Sequence, residues 1–190
     1  MHILMGLGNP GPKYDGTRHN IGFDFADRVA AESDQPGTWK SEAKSLTRKV
    51  TLAGVPLLIA KPQTFMNLSG EAAQVLLQFY KVHPRNLIAV VDEIYLDLGA
   101  VRIRTQGSHG GHNGLRNIME HCGDAFTRIR IGVGPFQPEQ DRADFVLRKY
   151  GQEESKVLDG VLTQAKSMIE TGLSLGWERA GSNFNRRAAP

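Results

Sequence analysis

The sequence predicts an α/β fold, a twisted mixed or mostly parallel β-sheet with helices on both faces, in a single globular domain spanning residues 1–190. Three observations lead there. Short apolar runs alternate along the chain with stretches of helical spacing. The 21 glycines cluster at apparent strand ends, where turns are expected. No repeat, low-complexity tract or linker interrupts the chain.

In order along the chain, His2 to Leu7 reads as a buried strand. Ile21, Phe25 and Val29 then recur at the spacing of one helix face. Leu46 to Ala53 and Val55 to Ala60 read as a strand pair turning at Gly54. Ala72, Val75, Leu76 and Phe79 mark a helix that stops before Pro84, which has no amide hydrogen with which to continue it. The run LIAVVD, Leu87 to Asp92, has the unbroken apolar character of a central strand covered on both faces. Val101 to Arg104 and Thr127 to Val133 alternate in the strand manner, with a short helix between them after Asn113. Val157, Val161, Leu162, Ala165, Met168 and Ile169 predict a long helix near the carboxyl end. Open sheets of this type bind ligands beyond the carboxyl ends of their strands. Asn9, Asn67 and Asp92 each follow an apolar run and fall in such places.

Composition narrows the function classes. With 190 residues, 40% hydrophobic and 23% charged, a single domain buries roughly 70% of its extended-chain surface and needs neither metal nor disulfide to hold a core. Cys122 is the only cysteine, which excludes an internal disulfide and points to a reducing, cytoplasmic location. No apolar run approaches the roughly 18 to 20 residues of a membrane span. Met1 to Leu7 lacks the basic start and apolar middle of a signal peptide, so no membrane partner is expected. The net charge is only +3, but its distribution is uneven. Between Leu98 and Phe136 lie Arg102, Arg104, Arg116, Arg128 and Arg130 against Glu120 and Asp124 alone. That surplus suits a phosphate-bearing partner and, on charge alone, equally suits a solvated basic face.

Four segments carry residue types suited to chemistry. The first, GLGNPGPKYDGTRHNIG from Gly6 to Gly22, contains a formal G-x-G-x-x-G at Gly6, Gly8 and Gly11. A dinucleotide fingerprint needs a helix to begin inside that turn and offer its free amides to a pyrophosphate. Here Pro10 and Pro12 intervene and helical spacing starts only near Asn20, so nucleotide binding is disfavoured. What remains is a rigid loop displaying Asn9, Tyr14, Arg18, His19 and Asn20. The second segment is VVDE, where Asp92 closes an apolar strand at the sheet edge where the His19 loop should emerge. A carboxylate that accepts the Nδ1 proton of an imidazole fixes its tautomer, frees Nε2 to take a proton from water, and stabilises the imidazolium. His19 as base and Asp92 as its orienter is one reading. The other is that His19 lies on the surface and Asp92 caps an element or pairs with an arginine.

The third segment, KPQTFMNLSGE, leads into a helix. Asn67 or Ser69 could cap that helix, with Phe65 and Met66 in the core. Alternatively Asn67 offers its carboxamide to a peptide-like ligand while Phe65 forms a flat wall for a base or sugar. The fourth, GSHGGHNGLRNI, brings glycine backbone near a helix start, a place that favours anions. It lacks the Gly-Lys-Ser/Thr of a phosphate-binding loop. His109 and His112 have no third ligand at zinc spacing, so neither metal nor cofactor is expected. Asn113 could simply cap the helix. No Gly-x-Ser-x-Gly elbow is present and no base is suggested beside Cys122. The inventory of one His, one Asp and several Asn carboxamides fits direct attack of activated water on an ester.

Together these segments resemble the bacterial peptidyl-tRNA hydrolase family. GLGNPGPKYDGTRHNIGFD, KPQTFMNLSG, VVDE, GSHGGHNGLRNI, RIRIGVG and FVLRKY appear in the family's order and spacing from Met1 to about Tyr150, while the tail from Gly151 to Pro190 matches only as a helix with a basic end. The resemblance implies a single α/β globule, acting as a monomer, that cleaves the ester between a peptidyl group and the terminal ribose of tRNA. It implies that His19 activates water, that Asp92 supports it, and that Asn9 helps distinguish a blocked amino group from a free one. Asn67 and Asn113 would hold the peptide and the tRNA end, and Tyr14 and Phe65 would line the cleft. Arg102 and Arg104 would face tRNA phosphate, with Arg128 and Arg130 as further candidates. The chain departs from the family's pattern after VVDE, where IYLDLG stands in place of the usual leucine, aspartate and proline before the glycine, and again at Pro135-Phe136. Two rivals stand beside this reading: a noncatalytic RNA-binding protein on the same scaffold, and a metal-free esterase for small acyl substrates.

Overall fold

The computed structural model describes residues 1–35 and 37–185. Seven strands form one sheet: β1 (His2–Gly6), β2 (Lys40–Glu42), β3 (Ser45–Leu52), β4 (Val55–Pro62), β5 (Leu87–Asp97), β6 (Val101–Arg104) and β7 (Thr127–Gly134). Their order across the sheet is β2-β3-β4-β1-β5-β7-β6. The four central strands β4, β1, β5 and β7 run parallel, and β3, β2 and β6 complete the edges antiparallel. The sheet is therefore mixed. The β3–β4 hairpin turns at Ala53 and Gly54, both at positive φ, as a two-residue hairpin loop requires.

Among the described residues six α-helices cover the sheet: α1 (Ile21–Ala31), α2 (Ser69–Phe79), α3 (Asn113–Cys122), α4 (Arg142–Leu147), α5 (Gln152–Leu175) and α6 (Trp177–Phe184). Alternation along the parallel strands divides the core in two. Ile88 and Val90 of β5 join Phe25 and Val29 of α1 and Met168 and Ile169 of α5 on one face. Leu87, Ala89 and Val91 join Leu76 of α2 and Leu115 and Ile118 of α3 on the other. Each such fully buried aliphatic or aromatic side chain contributes roughly 1.5–3 kcal/mol, which is why the predicted stripe of Ile21, Phe25 and Val29 decides where α1 lies. Among the described residues, no helix is long and apolar enough to cross a membrane.

Three elements were not legible in the sequence: the three-residue β2, the six-residue α4, and α6, which a break at Gly176 separates from α5. The basic end expected for the tail, residues 186–190, lies outside the described residues. One boundary differs from expectation. β5 does not close at Asp92 but continues to Asp97, because β7 runs alongside it as far as Gly134 through an irregular register between Glu93 and Asp97. Asp92 is placed at the sheet edge by the ending of its neighbour β1 at Gly6, which pairs with Val90.

Candidate active site

The loop after β1 is held at three points. Arg18 is buried between the rings of Phe145 and Tyr150, its Cζ 4.9 and 5.2 Å from their centroids. It donates to the Lys149 carbonyl at 2.9 Å and pairs with Glu154 at 2.6 Å. Asn20 donates from Nδ2 to the Asn9 carbonyl at 3.0 Å and accepts the Asn9 amide on Oδ1 at 2.8 Å. The third point is a close approach of α1 to the sheet. A Cβ on Gly22 would lie 2.4 Å from the Leu7 backbone and 2.5 Å from the Val90 carbonyl oxygen, and one on Gly6 would lie 2.0 Å from the Gly22 carbonyl oxygen. Glycine at these positions lets the helix rest directly on backbone. The Gly6 of the formal G-x-G-x-x-G thus serves helix packing.

This packing carries His19 across 73 positions of sequence to Asp92, with Nδ1 and Oδ1 2.8 Å apart. A second histidine converges on the same oxygen: His112 Nε2 lies 3.0 Å from Asp92 Oδ1. The Leu115 amide, which can only donate, points at His112 Nδ1 at 3.3 Å. Neutral His112 therefore carries its proton on Nε2 and donates it to Asp92. His19 donates from Nδ1 to the same carboxylate, leaving Nε2 with no protein partner among the described residues, on a ring that lines the cleft. The ligating atoms of His19, Asp92 and His112 lie within 4.8 Å of one another, a spacing that would also suit a metal. The tautomer imposed by Leu115 leaves no lone pair on His112 Nε2 for one, so the donor roles fit a hydrogen-bonded relay.

The charges follow from this arrangement. Burial alone would raise the Asp92 carboxyl, but the charges and hydrogen bonds of the two histidines hold it far below the usual carboxylate range. Burial disfavours charge on His19, and Arg142 adds to that, but the charge and hydrogen bond of Asp92 outweigh both and raise its pKa. On His112 the balance is reversed, with burial, His19 and Arg130 overcoming Asp92 to lower its pKa. The two imidazoles are thus set apart: one poised to take a proton, the other kept neutral as a donor.

Around this core lies an open cleft of about 740 Å³. Asn9 is buried beside it, and its Oδ1 accepts the Met66 amide at 2.7 Å. That bond fixes which end of the carboxamide is oxygen and leaves Nδ2 as the free donor at the cleft. Asn67 and Asn113 line the cleft with exposed carboxamides that make no hydrogen bond among the described residues. Neither is a helix cap. His112 caps α3, and the first turn of α2 takes Asn117 Oδ1, which accepts the Gly70 amide at 2.7 Å. Tyr14 and Phe65 form one wall edge to face, with centroids 6.4 Å apart, and Phe65 is 52% exposed. Met66 is buried, as one reading of its segment had it.

The arginines divide. Arg102 and Arg104 sit on the edge strand β6, outside the cleft; Arg104 is exposed and Arg102 half-buried. Their register partners are Arg130 and Arg128, but those two turn inward. Arg128 is fully buried, stacked 4.0 Å from the Phe126 centroid and donating to the Phe126 and Asp124 carbonyls. Arg130 pairs with Glu93 at 2.5 Å and donates to the Ser108 carbonyl at 2.8 Å. The expectation that Arg128 and Arg130 contact phosphate finds no support in this arrangement: both terminal guanidinium nitrogens of each donate inside the protein.

Sequence reasoning missed four participants. His112 was visible only as a neighbour of His109, because its partner Asp92 lies 20 positions away on another element. Asn20 was noted on its loop without its clamp on Asn9. Arg116 and Arg142 line the cleft, and the only signal for Arg142 was an acidic residue before a short apolar run, Asp141, whose carboxylate caps α4.

With this geometry in view, comparisons with known proteins become specific. The family model described as peptidyl-tRNA hydrolase matches residues 3–190. The chain is 44% identical over 188 residues to the peptidyl-tRNA hydrolase of Lachnoclostridium phytofermentans, covering 98% of each. It is 45% identical over 187 residues to that of Alkaliphilus oremlandii, covering 97% of this chain and 100% of the relative. The crystal structure of peptidyl-tRNA hydrolase from Acinetobacter baumannii superposes with a TM-score of 0.89 at 32% identity, covering 97% of this chain and 94% of that one. On the family match over nearly its whole length, the chain belongs to the peptidyl-tRNA hydrolase family.

Proposed function

We propose that the protein hydrolyses the ester joining a peptidyl group to the terminal ribose of tRNA, using water activated by His19. The observation that carries this reading is the 2.8 Å bond from His19 Nδ1 to Asp92, which leaves Nε2 free in an open cleft. A water on Nε2 loses a proton to the ring as its oxygen attacks the ester carbonyl carbon. Asp92 steadies the imidazolium so formed. Carboxamide N–H groups of the cleft donate to the developing oxyanion. Collapse breaks the bond from carbonyl carbon to ribose oxygen, and the imidazolium returns its proton to that oxygen, releasing a peptide acid and free tRNA.

Asn9 Nδ2 donates to the carbonyl that blocks the substrate's amino group. A free ammonium would bring only donors to that donor, which spares aminoacyl-tRNA. Asn67 and Asn113 hold the peptide and the terminal nucleotide, and Tyr14 and Phe65 supply apolar wall. Covalent catalysis by Cys122 has no support: burial pushes its thiol up to about 11, and it lines a different cavity. On this reading the protein acts as a monomer, in the cytoplasm, where ribosomes supply its substrate.

Turnover of an N-acetyl-aminoacyl-tRNA, with a chelator present, tests the proposal. His19→Ala should lower kcat by about 10²- to 10⁴-fold while the circular dichroism spectrum and melting temperature stay close to wild type. Near wild-type turnover in that variant removes His19 from the role, and absence of turnover in the wild type favours a noncatalytic RNA-binding protein.

A further inference from the structure

Beyond the hydrolytic centre, β5 continues past the cleft as Ile94 and Tyr95. Ile94 lines the cleft, whereas Tyr95 lines a second cavity of about 700 Å³ together with Arg102, Gln164 and Asn183. Tyr95 therefore stands on the ridge between the two. Its side chain is 66% exposed, yet it is held in place. The ring meets Phe136 edge to face at 6.2 Å, and Phe136 in turn packs at 5.5 Å on Phe145, which belongs to the core. Arg142 reaches over from α4, with Cζ 6.0 Å from the Tyr95 centroid. Among the described residues Arg142 enters no ion pair, and its hydrogen bond is a long one, 3.3 Å to the Gly110 carbonyl. The cleft's carboxylates are engaged elsewhere: Asp92 with two histidines, Glu93 with Arg130, and Asp141 with the Asp144 amide.

An exposed, rigidly seated aromatic ring beside an unpaired guanidinium has the chemistry that recognises single-stranded nucleic acid. Bases stack on the π face, and the guanidinium pairs with the phosphodiester. The tRNA that carries the ester ends in an unpaired strand, so once its terminal ribose is at His19 the adjoining nucleotides must leave the cleft across a rim. We propose that Tyr95 and Arg142 form the platform on which that unpaired 3′ strand lies, with a base on the ring and a phosphodiester on the guanidinium. This assignment rests on the peptidyl-tRNA reading of the cleft.

The test is equilibrium binding, by fluorescence anisotropy, of two deacylated tRNAs: one with its complete 3′ end and one trimmed of its last three nucleotides. Wild-type protein should bind the complete RNA more tightly. Tyr95→Ser should weaken binding of the complete RNA by about tenfold, the order of one base–aromatic stack, and leave the trimmed RNA unchanged. Tyr95→Phe keeps the ring and should restore the preference. Arg142→Gln should reduce the salt slope for the complete RNA by about 0.7, one phosphate contact on a single strand. Equal weakening of both RNAs, no weakening of either, or failure of Tyr95→Phe to restore the preference overturns the platform. A wild type that prefers the complete RNA but does not turn over peptidyl-tRNA overturns the hydrolase reading alone.

Discussion

The Asp92 carboxylate accepts from two imidazoles on one oxygen, and the asymmetry between them determines what each can do. Leu115 forces His112 to act as a donor, while His19 meets only Asp92 and keeps an open nitrogen. The raised pKa of His19 has a definite sign for activity. The ring must be neutral to accept a proton, so the acid limb of kcat/KM should lie above 6.5, its ordinary value. Asp92→Asn removes the charge that raises it and leaves burial and Arg142, both of which lower it. The acid limb should then move below 6.5, and the plateau should fall by roughly 10²-fold as support for the imidazolium is lost. A kcat/KM profile from pH 5 to 9 for both proteins checks this, and an acid limb that does not move would separate Asp92 from the titration of His19.

At the scale of elements, the site depends on how closely α1 seats on β1 and β5. Gly22→Ala would place a methyl 2.4 to 2.5 Å from the backbone of Leu7 and Val90, and neither can yield as a flexible side chain would. Overpacking of this kind costs about 1–3 kcal/mol, or roughly 2–4 °C of Tm per kcal/mol in a chain of this size. The helix can relieve the clash only by lifting off the sheet, which draws His19 away from Asp92. Turnover should therefore fall in the fraction that remains folded, as thermal melts read alongside specific activity would show; a stable and fully active variant would mean that the close approach is dispensable. The elements themselves were legible where a periodic apolar stripe fixed them, as in α1, α2, α5 and the central strands. They were illegible where tertiary packing replaced that stripe. The α4 helix has six residues, with Phe145 and Val146 buried, too short a pattern to separate from a loop. The full extent of β5 depended on the length of its partner β7.

At the scale of the whole molecule, the same contrast governs charge. From sequence the pairing of His19 with Asp92 is one of two readings, offered because the loop after β1 and the end of the apolar run Leu87 to Asp92 fall at one sheet edge; the structure joins them. The arginines between Leu98 and Phe136 could not be sorted, because charge counts carry no direction. Alternation along β6 and β7 places Arg102 opposite Arg130 and Arg104 opposite Arg128, and like charges so arranged are unfavourable unless countered. Glu93 counters Arg130, and backbone carbonyls accept from both terminal nitrogens of Arg128. Arg102 and Arg104 enter no ion pair among the described residues and lie at the outer edge of the sheet. On the proposed function they would be the pair that meets phosphates of the tRNA. Replacing both with alanine should weaken tRNA binding and reduce the slope of log K against log salt by up to about 1.8, the limit for two phosphate contacts on duplex RNA treated as B-form. Melting temperature should change little, since Arg104 is exposed, Arg102 only half-buried and neither is ion-paired among the described residues, and surface substitutions of this kind stay within about 0.5 kcal/mol. Arg128→Ala should do the opposite, lowering Tm through the loss of a buried, stacked side chain while the salt slope holds. Binding titrations from 50 to 200 mM salt on the two variants separate the roles, and an unchanged slope in the double variant would remove β6 from the tRNA surface.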